Sequence, residues 1–108
     1  MTTQLHKDKI KLEELDSRTI KWAQEKGILT KGTPLAQSIK TIEEAQEIHD
    51  AILANDRAEI LDGIGDTLVT LSIQAKMQNL TLLECWESAL NVIEKRTGKM
   101  ENGTFVKD

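Results

Sequence analysis

Apolar residues recur along most of this chain every three or four positions, the period of one helix face, and no run of β-branched residues alternates as in a half-buried strand. The pattern predicts a first helix from about Leu12 to Lys26, with Leu15, Thr19, Trp22 and Ala23 on one face and Gly27 as its stop. Ile28 to Gly32 reads as a connector. In the second helix Thr33 is the N-cap and Pro34 takes the first position, where its missing N–H costs nothing. Its apolar side runs through Leu35, Ile39, Ile42, Ala45, Ile48 and Ile52. Asn55-Asp56 breaks the pattern, and Asp56-x-x-Glu59 reads as a capping box opening a third helix. That helix carries Ile60, Leu61, Ile64, Leu68, Leu71 and Ile73 toward about Gln78. Asn79 marks its end, Thr81-x-x-Glu84 opens a fourth helix to about Arg96, and Gly98 terminates it. Asn102-Gly103 is a turn signal in the tail, with Thr104-Phe105-Val106 as a short strand or hairpin arm.

Composition narrows the picture. With 108 residues the chain is a single all-α domain over 1–108, able to bury one core with little surplus, and a copy of itself would complete that core. The net charge of −4 argues against a nucleic-acid partner, since phosphate binding needs a basic face. No apolar run is long enough to span a bilayer, and Met1-Thr2-Thr3-Gln4 opens no signal-peptide pattern, so a cytoplasmic protein with no membrane partner is expected. The lone Cys85 excludes an intramolecular disulfide and a Cys-based zinc site, and beside Leu82, Leu83 and Trp86 it reads as an inert buried thiol.

The chemistry concentrates in carboxylates. Glu43-Glu44-x-x-Glu47 lies in the second helix and Glu59-x-x-Asp62-x-x-x-Asp66 in the third. Residues three or four apart are neighbours on a helix, and like charges so placed cost a few tenths of a kcal/mol per pair. A hard divalent cation with oxygen ligands would offset that repulsion. If the two helices fold back at Asn55-Asp56, residues equidistant from the turn face each other. Glu47 then lies level with the Asp62–Asp66 interval and Glu44 level with Asp66, so Glu44, Glu47, Asp62 and Asp66 are the groups placed to converge. Glu59 falls nearer the turn and has a sufficient task as a capping residue. Gly63 and Gly65 each cost about 1 kcal/mol inside a helix, which points to close approach of a neighbouring helix or a phosphate. A solvated acidic face is the bland alternative for such acids.

These residues resemble a known family. Glu43-Glu44-x-x-Glu47 followed by a segment ending in Gly65-Asp66 is similar to the EExxE and ExxD motifs of the MazG-like all-α nucleoside triphosphate pyrophosphohydrolases. Asp62 through Val69, and Arg96-Thr97-Gly98-Lys99-Met100 with Gly103 through Lys107, look like the small phage and bacterial members, so the likeness covers most of the chain. One departure stands out: the family Glu of the second motif falls on Gly63 here, and Asp62 is its substitute, although Glu59-x-x-Asp62 satisfies the spacing literally.

The resemblance implies a four-helix bundle with a short C-terminal tail, intertwined in a homodimer or homotetramer. It implies hydrolysis of a nucleoside or deoxynucleoside triphosphate to the monophosphate and pyrophosphate with Mg²⁺, Mn²⁺ being the alternative metal. Resemblance and hairpin geometry together assign Glu44, Glu47, Asp62 and Asp66 as ligands, with Glu43 to position or deprotonate the attacking water. Lys40, one turn before Glu44, and Asn91, Lys95 and Arg96 late in the fourth helix are the expected phosphate contacts, and Gln37 offers an amide to the base. For Lys95 and Arg96 a plain helix C-terminus is a sufficient alternative, and Trp22 and Trp86, able to stack on a base, read first as core residues. Neither His6 nor His49 makes the Glu-x-x-His spacing of di-iron bundles. Rival readings are the same fold acting on an alarmone or modified nucleotide, and a catalytically silent helical interaction module. The expected compartment is the bacterial cytoplasm, or the host cytoplasm if the chain is phage-encoded.

Overall fold

Thr33, Asp56 and Thr81 each start a helix by accepting a hydrogen bond from the backbone three residues on: Ala36 N at 3.2 Å, Glu59 N at 3.2 Å and Glu84 N at 3.2 Å. Only Thr81 closes the full capping box, its own N–H donating to Glu84 Oε1 at 2.7 Å. The computed structural model describes residues 3–108. Met1 and Thr2, which open the stretch read as lacking a signal-peptide pattern, lie outside them. In chain order the elements are α1 (Gln4–Glu25), α2 (Ile28–Lys31), α3 (Pro34–Leu53), α4 (Arg57–Met77), α5 (Leu82–Ile93), β1 (Gly98–Glu101) and β2 (Thr104–Lys107). The all-α reading stands, with a small antiparallel hairpin at the C-terminus.

Three boundaries differ from the sequence expectation. First, α1 begins at Gln4 rather than near Leu12. Thr3 caps it by accepting from His6 N at 3.1 Å, and Gln4 Nε2 donates to Asp8 at 2.9 Å, so local hydrogen bonds carry the helix where apolar periodicity is absent. Second, the Ile28–Gly32 connector contains a helical turn, α2, entered through Gly27 at φ +77°. Third, the fourth predicted helix ends at Ile93 rather than about Arg96, so that Gly98 opens β1 instead of stopping a helix. The breaks read at Asn55, Asn79 and Asn102-Gly103 coincide with left-handed residues, at φ 54°, 59°, and 49° and 88°. Positive φ at both central positions is the type I′ geometry that matches strand twist, and it pairs Met100 with Phe105.

Packing centres on the antiparallel α3–α4 hairpin. Small residues and hydroxyls fill its seam. Gly63 on α4 lies against α3, where an added Cβ would stand 2.9 Å from Ile48 Cγ1. Thr41 Oγ1 donates to Thr70 Oγ1 at 3.0 Å, Thr70 Oγ1 to Thr67 O at 2.7 Å, and Thr67 Oγ1 to Gly63 O at 2.8 Å. Gln37, buried, donates its amide to Thr70 O at 3.2 Å. Against α4 from the other side lies α1, with Ala23 and Ile73 buried and Ser72 Oγ donating to Asp16 Oδ1. Cys85 is a free, half-buried thiol on α5.

The protomer leaves much apolar surface bare. Leu35, Leu53 and Leu61 are 75%, 76% and 74% exposed, while the buried apolar residues are Ala23, Ala51, Ile73 and Ala75. Its accessible surface is 8597 Å², against about 6,000 Å² for a compact monomer of this mass. The radius of gyration, 16.2 Å, likewise exceeds the roughly 13 Å of a compact chain this long.

Candidate metal centre

The α3–α4 hairpin sets Glu44 and Glu47, one turn apart on α3, against Asp66 on α4. One carboxylate oxygen from each lies within 4.8 Å of the others. The seam makes this possible, because Gly63, three residues before Asp66, lets α3 approach where a side chain would hold it off. Glu44 is half-buried, whereas Glu47 and Asp66 are exposed.

The electrostatics are those of crowded acids. The Glu44 carboxyl is held above the ordinary glutamate range, chiefly because its protonated form hydrogen-bonds Glu47, then through burial and the charges of Glu47 and Asp66. Its Oε2 is buried with no hydrogen-bond partner. An orphaned carboxylate oxygen facing two further carboxylates lacks positive charge, and hard oxygen donors of this kind suit a divalent cation such as Mg²⁺. The residues present therefore fit a metal.

The remaining acids and cations fall around this group. Asp62 is exposed one turn before Asp66 and is not among the three converging acids. Glu43 also stands outside them, paired with Lys40 at 3.0 Å. Lys40 is thus held at the edge of the acids, its pKa raised by the hydrogen bond to Glu43 and by the charges of Glu43, Glu44 and Glu47. Glu59 sits in the first turn of α4, where its backbone N–H donates to the N-cap Asp56 and its side chain does not close the expected capping box. Gln37, expected at the base, spends an amide hydrogen on Thr70 O within the seam. Asn91 lies exposed on α5, and Lys95 and Arg96 follow its C-cap, exposed and without an ion pair among the described residues. His49 is occupied with Gln46 and Asp50 on the outer side of α3. Sequence reasoning had not singled out the Asp16–Ser72 pair or the threonines of the seam. Their signal, hydroxyls at helical spacing on an otherwise apolar face, is legible only once the partner helix is known.

A helical hairpin presenting three convergent carboxylates, one with an orphaned oxygen, has the donor set of a candidate oxygen-ligand metal centre. The MazG nucleotide pyrophosphohydrolase domain matches residues 33–102, a span that holds α3, α4, α5 and all three acids, and the chain belongs to that family. It is also similar to an uncharacterized 18.2 kDa protein in the rep-hol intergenic region of Haemophilus phage HP1 (strain HP1c1). The two are 32% identical over 69 residues, covering 64% of this chain and 42% of the phage protein. The match thus spans less than half of that relative's length. No solved structure matches the chain. Among the described residues no helix is long and apolar enough to cross a membrane.

Proposed function

We propose that this protein hydrolyses a nucleoside or deoxynucleoside triphosphate to the monophosphate and pyrophosphate in a Mg²⁺-dependent reaction. The observation that carries the proposal is the convergence of Glu44, Glu47 and Asp66, with a buried, unpartnered oxygen on Glu44, in a chain of this family. Those three residues would hold the metal, with Asp62 one turn away as a fourth acid acting through a bound water. When bound, the metal supplies Lewis-acid polarisation of phosphoryl oxygens and a lowered pKa for a coordinated water. Glu43, beside the ligands and outside their group, takes the proton of the attacking water, with Lys40 orienting its carboxylate through their ion pair. Lys40, with Asn91, Lys95 and Arg96, compensates the charge of the phosphates.

The test is product analysis with a panel of NTPs and dNTPs, with and without Mg²⁺, for the native protein and Glu47→Gln. Metal-dependent release of pyrophosphate and monophosphate, lost in the variant, supports the reading. Release of orthophosphate would sink the proposed bond cleavage.

The same proposal includes a homodimer or homotetramer. The roughly 2,500 Å² of surface in excess of a compact monomer is of the size buried in obligate dimers. A monomer by light scattering at micromolar concentration would overturn it.

A further inference from the structure

Beyond the carboxylates, a groove of about 860 Å³ lies between α1, α4 and α5. Trp22 and Trp86, the only tryptophans, both line it, and they are 47% and 53% exposed, so each indole offers a ring to an incoming molecule. The floor contains two features that packing within the chain does not explain. Gly65 is a helix-interior glycine that an added Cβ would leave with nothing within 4 Å, so no neighbour in this chain requires the missing side chain. Ser72, 3% exposed, spends its hydroxyl on Asp16 Oδ1 and thereby fixes an acidic side chain in a wall that Arg18, Lys21 and Glu25 also line. Leucines and indoles interrupted by a few polar groups are the make-up of a small-molecule site, and 860 Å³ lies within the usual size range.

The groove adjoins the metal centre along α4. Gly65 immediately precedes Asp66, and Val69, one turn on, lines the groove. Ser72 lies six residues beyond Asp66, which is about 9 Å along the axis at roughly 1.5 Å per residue. A nucleotide whose phosphates lie at Asp66 can therefore lay its base between the indoles and turn its edge toward Asp16.

An ionised carboxylate only accepts hydrogen bonds. Oδ2 of Asp16 is left free by Ser72, which uses Oδ1. The base that meets a carboxylate best presents two adjacent donors, as guanine does with its ring N–H and exocyclic amine. Adenine and cytosine present an amine beside a ring acceptor, and uracil and thymine flank their N–H with carbonyls that repel a carboxylate.

We propose that the Trp22–Trp86 groove is the base subsite and that Asp16, positioned by Ser72, selects guanine. This rests on the nucleotide reading above and names the substrate class for the same site.

The experiment separates the two. Quenching of tryptophan fluorescence is titrated with GMP, AMP, CMP and UMP in the absence of metal, and kcat/KM is measured for the corresponding triphosphates with Mg²⁺. GMP is expected to quench at concentrations at least about tenfold below UMP, the scale of one good hydrogen-bonding pair. Asp16→Asn should erase that ordering in both assays. Gly65→Leu, whose side chain enters open space, should fold as the native protein by circular dichroism yet abolish quenching by every base. Ordered quenching without pyrophosphate release from any nucleotide would leave the groove standing and overturn the reaction. Pyrophosphate release with a base order unchanged in Asp16→Asn would do the reverse. Absence of quenching by all four nucleotides, or a Gly65→Leu variant that alters only the oligomeric state, overturns the base subsite.

Discussion

Gly63 and Ile48 set the separation of α3 and α4: a Cβ on Gly63 would lie 2.9 Å from Ile48 Cγ1 and 3.5 Å from the Ile48 backbone nitrogen. At this position the family motif has a glutamate, and here the chain uses it for helix contact. Gly63→Ala is expected to lower stability by about 1 kcal/mol, the overpacking outweighing the gain in helix propensity. Gly65→Ala, with open space around it, should instead raise stability by about 1 kcal/mol. Thermal melts of the two variants check this, and Gly63→Ala combined with Ile48→Ala should be less destabilised than the single changes add up to.

Glu44 should give the metal-free protein a pH dependence of definite sign. Its carboxyl titrates above the ordinary glutamate range in the folded chain, so between those two values the folded state holds a proton that the unfolded state has released. Stability therefore falls as pH rises through that window. Mg²⁺ should remove the penalty, raising the melting temperature more at pH 7 than at pH 4.5. Melts across this range should show the slope in the native protein and a flat profile in Glu44→Gln.

The acids on α4 are expected to differ in weight. Asp66→Asn removes a converging ligand and should lower kcat/KM by about a hundredfold or more, while Asp62→Asn, one turn away, should cost roughly tenfold. Mg²⁺ titration calorimetry on both variants provides a readout independent of turnover. Equal losses in the two would mean that Asp62 reaches the metal directly.

Within the seam, Thr70→Val leaves the Thr41 hydroxyl only its 3.4 Å bond to Gln37 O, and Gln37→Leu leaves Thr70 O only its bond within α4. Each should destabilise the protein by about 0.5–1.5 kcal/mol, the net worth of one hydrogen bond. Chemical denaturation measures this. Gln37→Leu should leave the order of base preference unchanged, because the amide is engaged inside the helix pair. A changed order would restore Gln37 to the substrate side.

The helices, most of their breaks and the approach of Glu44, Glu47 and Asp66 were legible in the linear chain because their causes are local. Pro34 after Thr33, Thr81 with Glu84, and Asn55, Asn79 and Asn102-Gly103 act through hydrogen bonds and backbone sterics within a few residues. The acid levels followed from helix rise alone once Asn55-Asp56 was read as a turn. The start of α1 was missed because Gln4 to Lys11 has no apolar stripe and is held by capping and side-chain hydrogen bonds.

Tertiary structure decided what spacing leaves open. Asp62 and Asp66 share a stripe on α4, yet only the rotation of that helix against α3 selects Asp66 for the converging group. Whether Gly63 serves a phosphate or a helix depends on Ile48, fifteen residues away, and the task of Gln37 on Thr70, thirty-three residues away. The residue pattern by itself determined which helix faces are apolar and which charges crowd. Relative position and azimuth of packed helices arise from contacts between distant residues, and these the chain's local chemistry does not encode.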